Sequence, residues 1–149
     1  MKTESGQSLF EIMLALAITT LIIVAIVALT ATSIRNTTFS KNKTLASRYS
    51  QEATEWLRGE RDADFDAFET RTLTPLYFFP SLSWAAASIG ACTSGQEILN
   101  TPFRREISFS SSVINGKTLI QAYVRVYWNE AQGLHEVRSV TNFSDWREL

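Results

Sequence analysis

The chain has few of the residues that cross-link or interrupt small domains. Only one of its 149 residues is a cysteine, Cys92, so no disulfide can form within one copy. One cysteine and one histidine also make a zinc site of the usual Cys/His composition implausible. The formal net charge is −1 and the lysines and arginines are scattered, which excludes the basic footprint that duplex nucleic acid requires. We therefore expect no cofactor and no direct binding of nucleic acid.

Glycine and proline, the strongest helix breakers, are absent from Gln7 to Arg58. Within this interval Ile12–Ala31 carries no charge, and its only polar residues are Thr19, Thr20 and Thr30. A bilayer core needs roughly 20 apolar helical residues, so the segment predicts a transmembrane helix. The threonines can return their hydroxyls to carbonyls one turn back. A buried core helix is the alternative, which we disfavour because such helices rarely run this long without a charge.

The helical pattern continues beyond the apolar segment. Apolar residues recur there at the spacing of one helical face: Leu45, Tyr49, Ala53, Trp56 and Leu57. Gly59 stands where a left-handed residue would end the helix, so we expect helix up to Arg58. Local melting is expected over Asn36–Asn42, which is rich in Thr, Ser and Asn. The apolar face outside the membrane needs a partner.

The C-terminal third predicts an antiparallel sheet that can be this partner. Residues 103–113 alternate, although Arg105 and Ser111 interrupt the apolar face, and Asn115-Gly116 is a strong hairpin signal. Residues 117–128 predict a second strand with Ile120, Ala122, Val124, Val126 and Trp128 on one face. A third strand is expected from about 134 to 143 after a five-residue loop. The pattern predicts a three-stranded meander with one face on the helix and the other in water.

The middle of the chain gives weaker signals. Thr74–Pro80 is apolar but contains two prolines, so it is at best an edge strand. Trp84–Ile89 is a candidate short strand, and Gly90–Gly95 reads as a flexible loop. The predicted class is α+β: a long N-terminal helix against a small C-terminal antiparallel sheet.

A glycine and a glutamate lie directly before the apolar segment. Only six residues, among them Lys2, run up to Gly6, and Glu11 is the last charge before Ile12. In these features the chain resembles the type IV pilins and type II secretion pseudopilins. The resemblance implies a pilin-like fold, cleavage after Gly6 by a prepilin peptidase, and N-methylation of the new terminus, Gln7. Glu11 would be the fifth mature residue, which the family retains inside the filament.

The resemblance also implies how the chain is organised and what it does. It divides the chain into a leader (1–6), a transmembrane or filament-core helix half (7–31), an extracytoplasmic amphipathic helix half (32–58), a variable connection (59–102) and the sheet (103–149). The protein would be a filament subunit and not an enzyme. The family usually begins with Phe or Met, so Gln7 favours a minor subunit. The presence of Glu11 argues against the filament tip.

The implied partners are other pilin or pseudopilin subunits through the N-terminal helix, the prepilin peptidase, an inner-membrane assembly platform, and the lipid bilayer before assembly. The N-terminus would be cytoplasmic and the C-terminal domain extracytoplasmic. Which machine is served, a pilus, a secretion pseudopilus or a DNA-uptake filament, stays open. The alternative is a single-pass anchored binding module that is not polymerised and keeps its first six residues.

The chemistry of the junction agrees with a filament role. Cleavage after Gly6 would create a cationic amine on Gln7, and a carboxylate such as Glu11 is costly in lipid unless a cation meets it. A neighbouring subunit's amine would be such a cation. The alternative is that Glu11 merely marks the membrane interface, with water or headgroups as partners.

Other candidate sites are weaker. Asp62, Asp64 and Asp66 resemble the first half of a calcium loop, but Ala67 replaces the required glycine and Leu73 the bidentate glutamate. We interpret them as a solvated acidic turn, paired with neighbouring arginines.

The single histidine, the single cysteine and the aromatic residues of the sheet show no pattern typical of a catalytic site. His135 has no triad pattern around it, and Cys92 reads as an ordinary thiol that could form an intermolecular bridge outside the cell. Tyr123, Tyr127 and Trp128 are interpreted as packing or subunit contacts.

Overall fold

The computed structural model describes residues 5–93, 95–114 and 116–145, with side chains from Leu9 onward. The elements in chain order are α1 (Ser5–Ala63), α2 (Phe65–Thr72), β1 (Leu76–Phe78), β2 (Ser88–Ile89), β3 (Arg104–Ile114), β4 (Lys117–Glu130) and β5 (Gly133–Phe143). The chain divides into two compact units, one ending at Lys41 and the other beginning at Asn42. The predicted α+β class, with a long N-terminal helix and an antiparallel sheet, is confirmed.

Helix α1 is longer and more regular than its sequence suggested. The expected melting over Asn36–Asn42 is absent, and the hydroxyl of Thr37 donates to the Ser33 carbonyl at 2.9 Å within the helix. The predicted end at Gly59 is also wrong, because this glycine keeps a negative φ and the helix runs on to Ala63. The chain leaves the helix at Asp64, whose backbone is extended with φ −157°.

The sheet contains the predicted meander and two further strands. The order is β2-β1-β3-β4-β5 and every neighbouring pair is antiparallel. Strand β1 was predicted to be at best an edge strand, but it pairs with β2 on one side and β3 on the other. Its prolines do not prevent this, because Pro75 and Pro80 lie outside the paired residues.

The predicted turn between β3 and β4 agrees with the structure at Gly116, whereas the turn between β4 and β5 is shorter than predicted. Gly116 has φ +78°, as the predicted turn between β3 and β4 requires, whereas Asn115 lies outside the described residues. The expected five-residue loop between β4 and β5 is a two-residue turn, because Glu130 pairs with Gly133. Gly133 has φ +118°, a conformation that favours glycine.

The core of the second unit lies between the C-terminal half of α1 and one face of the sheet. The predicted helix stripe is confirmed: Ala53 and Leu57 are fully buried, and the Tyr49 ring lies 5.5 Å from the Phe103 ring. The sheet contributes its predicted apolar face, the buried residues Ile107, Ile120, Ala122, Val124, Val126 and Trp128. Helix α2 adds Phe68, whose ring lies 5.5 Å from that of Phe143.

One charged residue is buried in this core. Arg105 occupies the apolar face of β3, is 3% exposed, and its Nε donates to the Phe79 carbonyl at 3.3 Å. None of the carboxylates that the structure describes forms an ion pair with it. Burial lowers the pKa of Arg105 to about 10, against the opposing effect of Glu52, so the guanidinium stays charged at neutral pH.

Candidate functional site

The N-terminal unit presents a long apolar surface. From Leu9 to Ile34 the large apolar side chains of α1 are 50–71% exposed, and none of the most apolar stretch of the helix is buried. The helix is long and apolar enough to cross a membrane. It is therefore not the buried core helix of this chain, which was the alternative to a membrane span.

The threonine hydroxyls of this helix form hydrogen bonds with carbonyl groups of the same helix. The hydroxyls of Thr19, Thr20 and Thr30 each donate to the carbonyl four residues back at 2.7–2.8 Å, as predicted. Thr32 does the same toward Ala28 at 3.0 Å. Because each hydroxyl has an acceptor inside the helix, the segment can enter an apolar medium without unpaired side-chain donors.

The residues of the predicted cleavage and assembly site lie at the start of α1. Gly6 and Gln7 belong to its first turns, and the Gln7 side chain lies outside the described part. Glu11 follows on the same helix with an exposed side chain, and no ion pair joins it to any described residue. It is the only charged residue from Leu9 to Ile34. The arrangement is a lone carboxylate at the end of an uncharged helix.

The aspartates that resembled a calcium loop form a helix junction instead. Asp64 caps α2, and its Oδ1 accepts from the Ala67 N–H at 3.0 Å. Asp62 pairs with Arg61 at 2.7 Å, and Asp66 lies in the first turn of α2. Across the described ranges no group of three His, Cys, Asp or Glu side chains could hold a metal ion. The predicted acidic turn is thus an N-cap, a role these residue types favour.

A buried carboxylate on the outer face of the sheet was not anticipated. Glu106 is 7% exposed, and its Oε1 accepts from the Cys92 N–H and from the Tyr127 hydroxyl, both at 2.8 Å. Arg125 Nη1 lies 3.3 Å from its Oε2. The residues around Cys92, predicted to form a flexible loop, cover this part of the sheet. The alternation along β3 predicted that Glu106 faces water. Alternation along one strand carries no information about a loop that covers a face of the sheet.

The Glu106 cluster has the character of a structural site. Burial raises the pKa of the Cys92 thiol, so the thiol stays protonated and unreactive near neutral pH. Burial, followed by the hydrogen bond to Glu106, also raises the pKa of Tyr127. Both oxygens of Glu106 are engaged by donors, so the carboxylate is not available as a general base.

His135 belongs to a second polar cluster, at the turn between β4 and β5. Glu130 Oε1 accepts from Asn42 Nδ2 and from Trp128 Nε1, both at 2.7 Å. The His135 ring lies 5.5 Å from the Trp128 ring, and its Nε2 is 3.8 Å from Glu130 Oε2. These contacts join the hairpin of β4 and β5 to Asn42 of α1, the first residue of the second unit. Sequence reasoning missed Asn42 and Glu130, which are 88 residues apart.

No family model, no curated protein and no solved structure matches the chain. What can be inferred about function therefore depends on the residues and geometry described above. The strongest of these features is the exposed apolar helix with one carboxylate near its start.

Proposed function

We propose that this protein is a minor structural subunit of a type IV pilus-like filament, or of a secretion or DNA-uptake pseudopilus. It would be made as a precursor, cleaved after Gly6, N-methylated at Gln7 and assembled through its N-terminal helix. The observation that carries the proposal is Glu11: a single exposed carboxylate just after a glycine and just before a membrane-length apolar helix.

In this proposal the apolar helix lies first in the lipid bilayer and then in the filament. Its side chains have no partner surface among the described residues of their own chain, so they require lipid or other copies of such a helix. In lipid the helix anchors the subunit, with the N-terminus in the cytoplasm and the sheet unit on the other side. In the filament the same apolar surface packs against neighbouring helices.

Glu11 gives the assembled state its specificity. Cleavage after Gly6 creates an α-amine on Gln7, which is cationic at neutral pH. A carboxylate close to lipid costs energy that falls when a cation pairs with it, and the amine of a neighbouring subunit is such a cation. The pairing would set the axial position of one helix against the next, as buried polar groups do in other helical assemblies.

The second unit supplies a folded domain and shows no catalytic constellation among the residues described. The carboxylates of the buried Glu106 and the half-buried Glu130 are occupied by structural hydrogen bonds. In the proposed role this unit forms the outer surface of the filament. The prepilin peptidase and the inner-membrane assembly platform would be the partners of the precursor.

The test follows the terminus and the assembly separately. The full chain is expressed with a prepilin peptidase and assembly system, and the intact mass of the membrane form is measured. Loss of residues 1–6 with one added methyl group supports the proposal. An uncut terminus contradicts it and supports a membrane-anchored binding module that does not polymerise.

Glu11→Ala and Glu11→Gln test the carboxylate itself. We expect both variants to be cleaved normally but to be incorporated into sheared filaments on the order of tenfold less, because the pairing charge is gone. Glu4→Gln is the matched control, since this leader carboxylate is removed by cleavage and its loss should not matter. Normal incorporation of the Glu11 variants would show that the residue has no role in assembly.

A further inference from the structure

Helix α1 carries only basic charges directly after its apolar stretch. Between Glu11 and Glu52 the chain has no acidic residue, and the charged residues of this interval are Arg35, Lys41, Lys43 and Arg48. The side chains of Arg35, Lys41 and Lys43 are exposed. Within the described ranges, Arg35 and Lys41 form no ion pair and no side-chain hydrogen bond. Their charges are therefore available to an anion from outside the chain.

A shallow groove of about 490 Å³ lies on the same part of α1. Its lining residues are three or four apart and so share one face of the helix: Leu29, Thr32, Ser33, Asn36, Thr37 and Ser40. The groove is apolar at Leu29, within the membrane-length stretch, and polar from Asn36 to Ser40. This gradient matches an amphipathic molecule that lies along the helix.

The basic residues surround the polar end of this groove. Successive residues of a helix are rotated by about 100°. Arg35 precedes Asn36 and Lys41 follows Ser40, so the two cations lie on opposite sides of the groove. Lys43 comes three residues after Ser40 and lies on the groove face itself, one turn further along α1. The polar end is thus bordered by positive charge on three sides.

The length of the uncharged stretch places this polar end at the membrane surface. Ile12–Ile34 contains no charged residue and measures about 35 Å as a helix. This is slightly more than the hydrocarbon core of about 30 Å. Arg35 then lies at the level of the lipid headgroups. Lys41 lies about 9 Å further along the helix, and its long side chain can extend back toward the surface.

We propose that this part of α1 binds an anionic phospholipid of the bilayer. The phosphate lies against Asn36 and Ser40 between the Arg35 and Lys41 side chains, and an acyl chain follows the groove toward Leu29. A zwitterionic phospholipid is the poorer ligand, because its own cation offsets the phosphate. The inference rests on the membrane stage of the proposed function, but it depends neither on cleavage nor on assembly, and it holds for either leaflet.

Lipid retention by the full-length chain tests this site. The chain is reconstituted into vesicles of equal parts phosphatidylcholine and phosphatidylglycerol and then extracted in mild detergent, and native mass spectrometry identifies the lipid that stays bound. Because each cation near the surface contributes about fivefold, we expect phosphatidylglycerol to be retained on the order of 20-fold over phosphatidylcholine. Arg35→Gln and Lys41→Gln should each lower this preference about fivefold, and the double variant should abolish it.

Three further variants separate the site from charge in general. Arg35→Lys keeps the cation and should keep the preference. Arg58→Gln is the matched control, since this cation lies on the same helix 23 residues beyond Arg35 and should not matter. Asn36→Leu leaves every cation in place but removes the polar end of the groove, so it should lower lipid retention several-fold. Circular dichroism checks that each variant keeps its helix.

The same spectra distinguish the other possible occupants of the groove. Excess inorganic phosphate should not displace the lipid, because the acyl chain adds its own contact. Displacement by phosphate, equal retention of the two lipids, full retention in the double variant or in Asn36→Leu, or dimers in place of lipid adducts would overturn the proposal.

Alkaline carbonate treatment of the vesicles separates this inference from the proposed function. Release of the chain by carbonate would overturn both, because the helix would not be embedded in the bilayer. A chain that stays embedded but shows no preference between the two lipids would overturn only the lipid site.

Discussion

Arg105→Met should stabilise the sheet unit, although it removes a buried hydrogen bond. Arg105 is 3% exposed, and its Nε donates a hydrogen bond to the Phe79 carbonyl at 3.3 Å. Burial lowers the pKa of Arg105 from its ordinary value to about 10. At 1.36 kcal/mol per pKa unit, keeping the charge in this position costs about 3 kcal/mol.

Methionine keeps most of the packing and removes this cost. It is unbranched and adaptable, so it can occupy the space of the arginine stem. The lost hydrogen bond opposes the gain by about 1 kcal/mol. We therefore expect Arg105→Met to raise the free energy of unfolding by about 2 kcal/mol, in line with other replacements of buried charges by apolar residues.

The measurement is urea unfolding of the full-length chain in detergent, followed by tryptophan fluorescence. Arg104→Met is the matched control: the neighbouring arginine points to the other face, pairs with Glu97 at 2.8 Å and is partly exposed. Its replacement should lower stability by less than about 1 kcal/mol. A loss of stability in Arg105→Met larger than that in Arg104→Met would refute the reasoning, since the guanidinium would then be a net stabilising group.

Two further predictions concern the polar clusters of the sheet unit. Because burial raises its pKa, Cys92 should react with iodoacetamide at neutral pH far more slowly in the native chain than in urea, and equal rates would show that the residues around it do not cover the thiol. The pKa of Glu130 is lowered, first by the hydrogen bond from Asn42. The ionised carboxylate therefore stabilises the fold above the ordinary carboxyl range, and this stabilisation is lost as the pH falls through the lowered pKa. Thermal unfolding of Glu130→Gln should therefore depend less on pH than that of the unaltered chain below about pH 4, and identical profiles would contradict the role of this carboxylate.

Much of the regular structure was predictable because it follows from local periodicity. Strand β4 alternates from Ile120 to Val126, and the residues assigned to its apolar face are buried, whereas Tyr127, assigned to the face in water, is buried as well. The helix stripe through Ala53 and Leu57 and the intrahelical bonds of the threonines were also predicted correctly. Each of these features depends on residues within two turns or one strand of each other.

The errors arose where a local signal competed with contacts made elsewhere. Gly59 can end a helix, but here the chain continues until Asp64 caps the next helix. Two prolines near β1 suggested an edge, yet they lie just outside the residues that pair. Glycine and proline restrict a conformation only at their own positions and next to them, so neighbouring elements decided the outcome.

The sequence by itself determined the junction on which the proposed function depends: a glycine, a lone glutamate and an uncharged helix of membrane length are adjacent in the chain. Only the tertiary structure decided that Arg105 is buried, that Glu106 is covered by the residues around Cys92, and that Asn42 meets Glu130. It also decided that β5, with 11 residues, is one outer strand of the sheet and the short β2 the other. These properties depend on residues far apart in sequence, and periodicity cannot specify which face or edge another segment will cover.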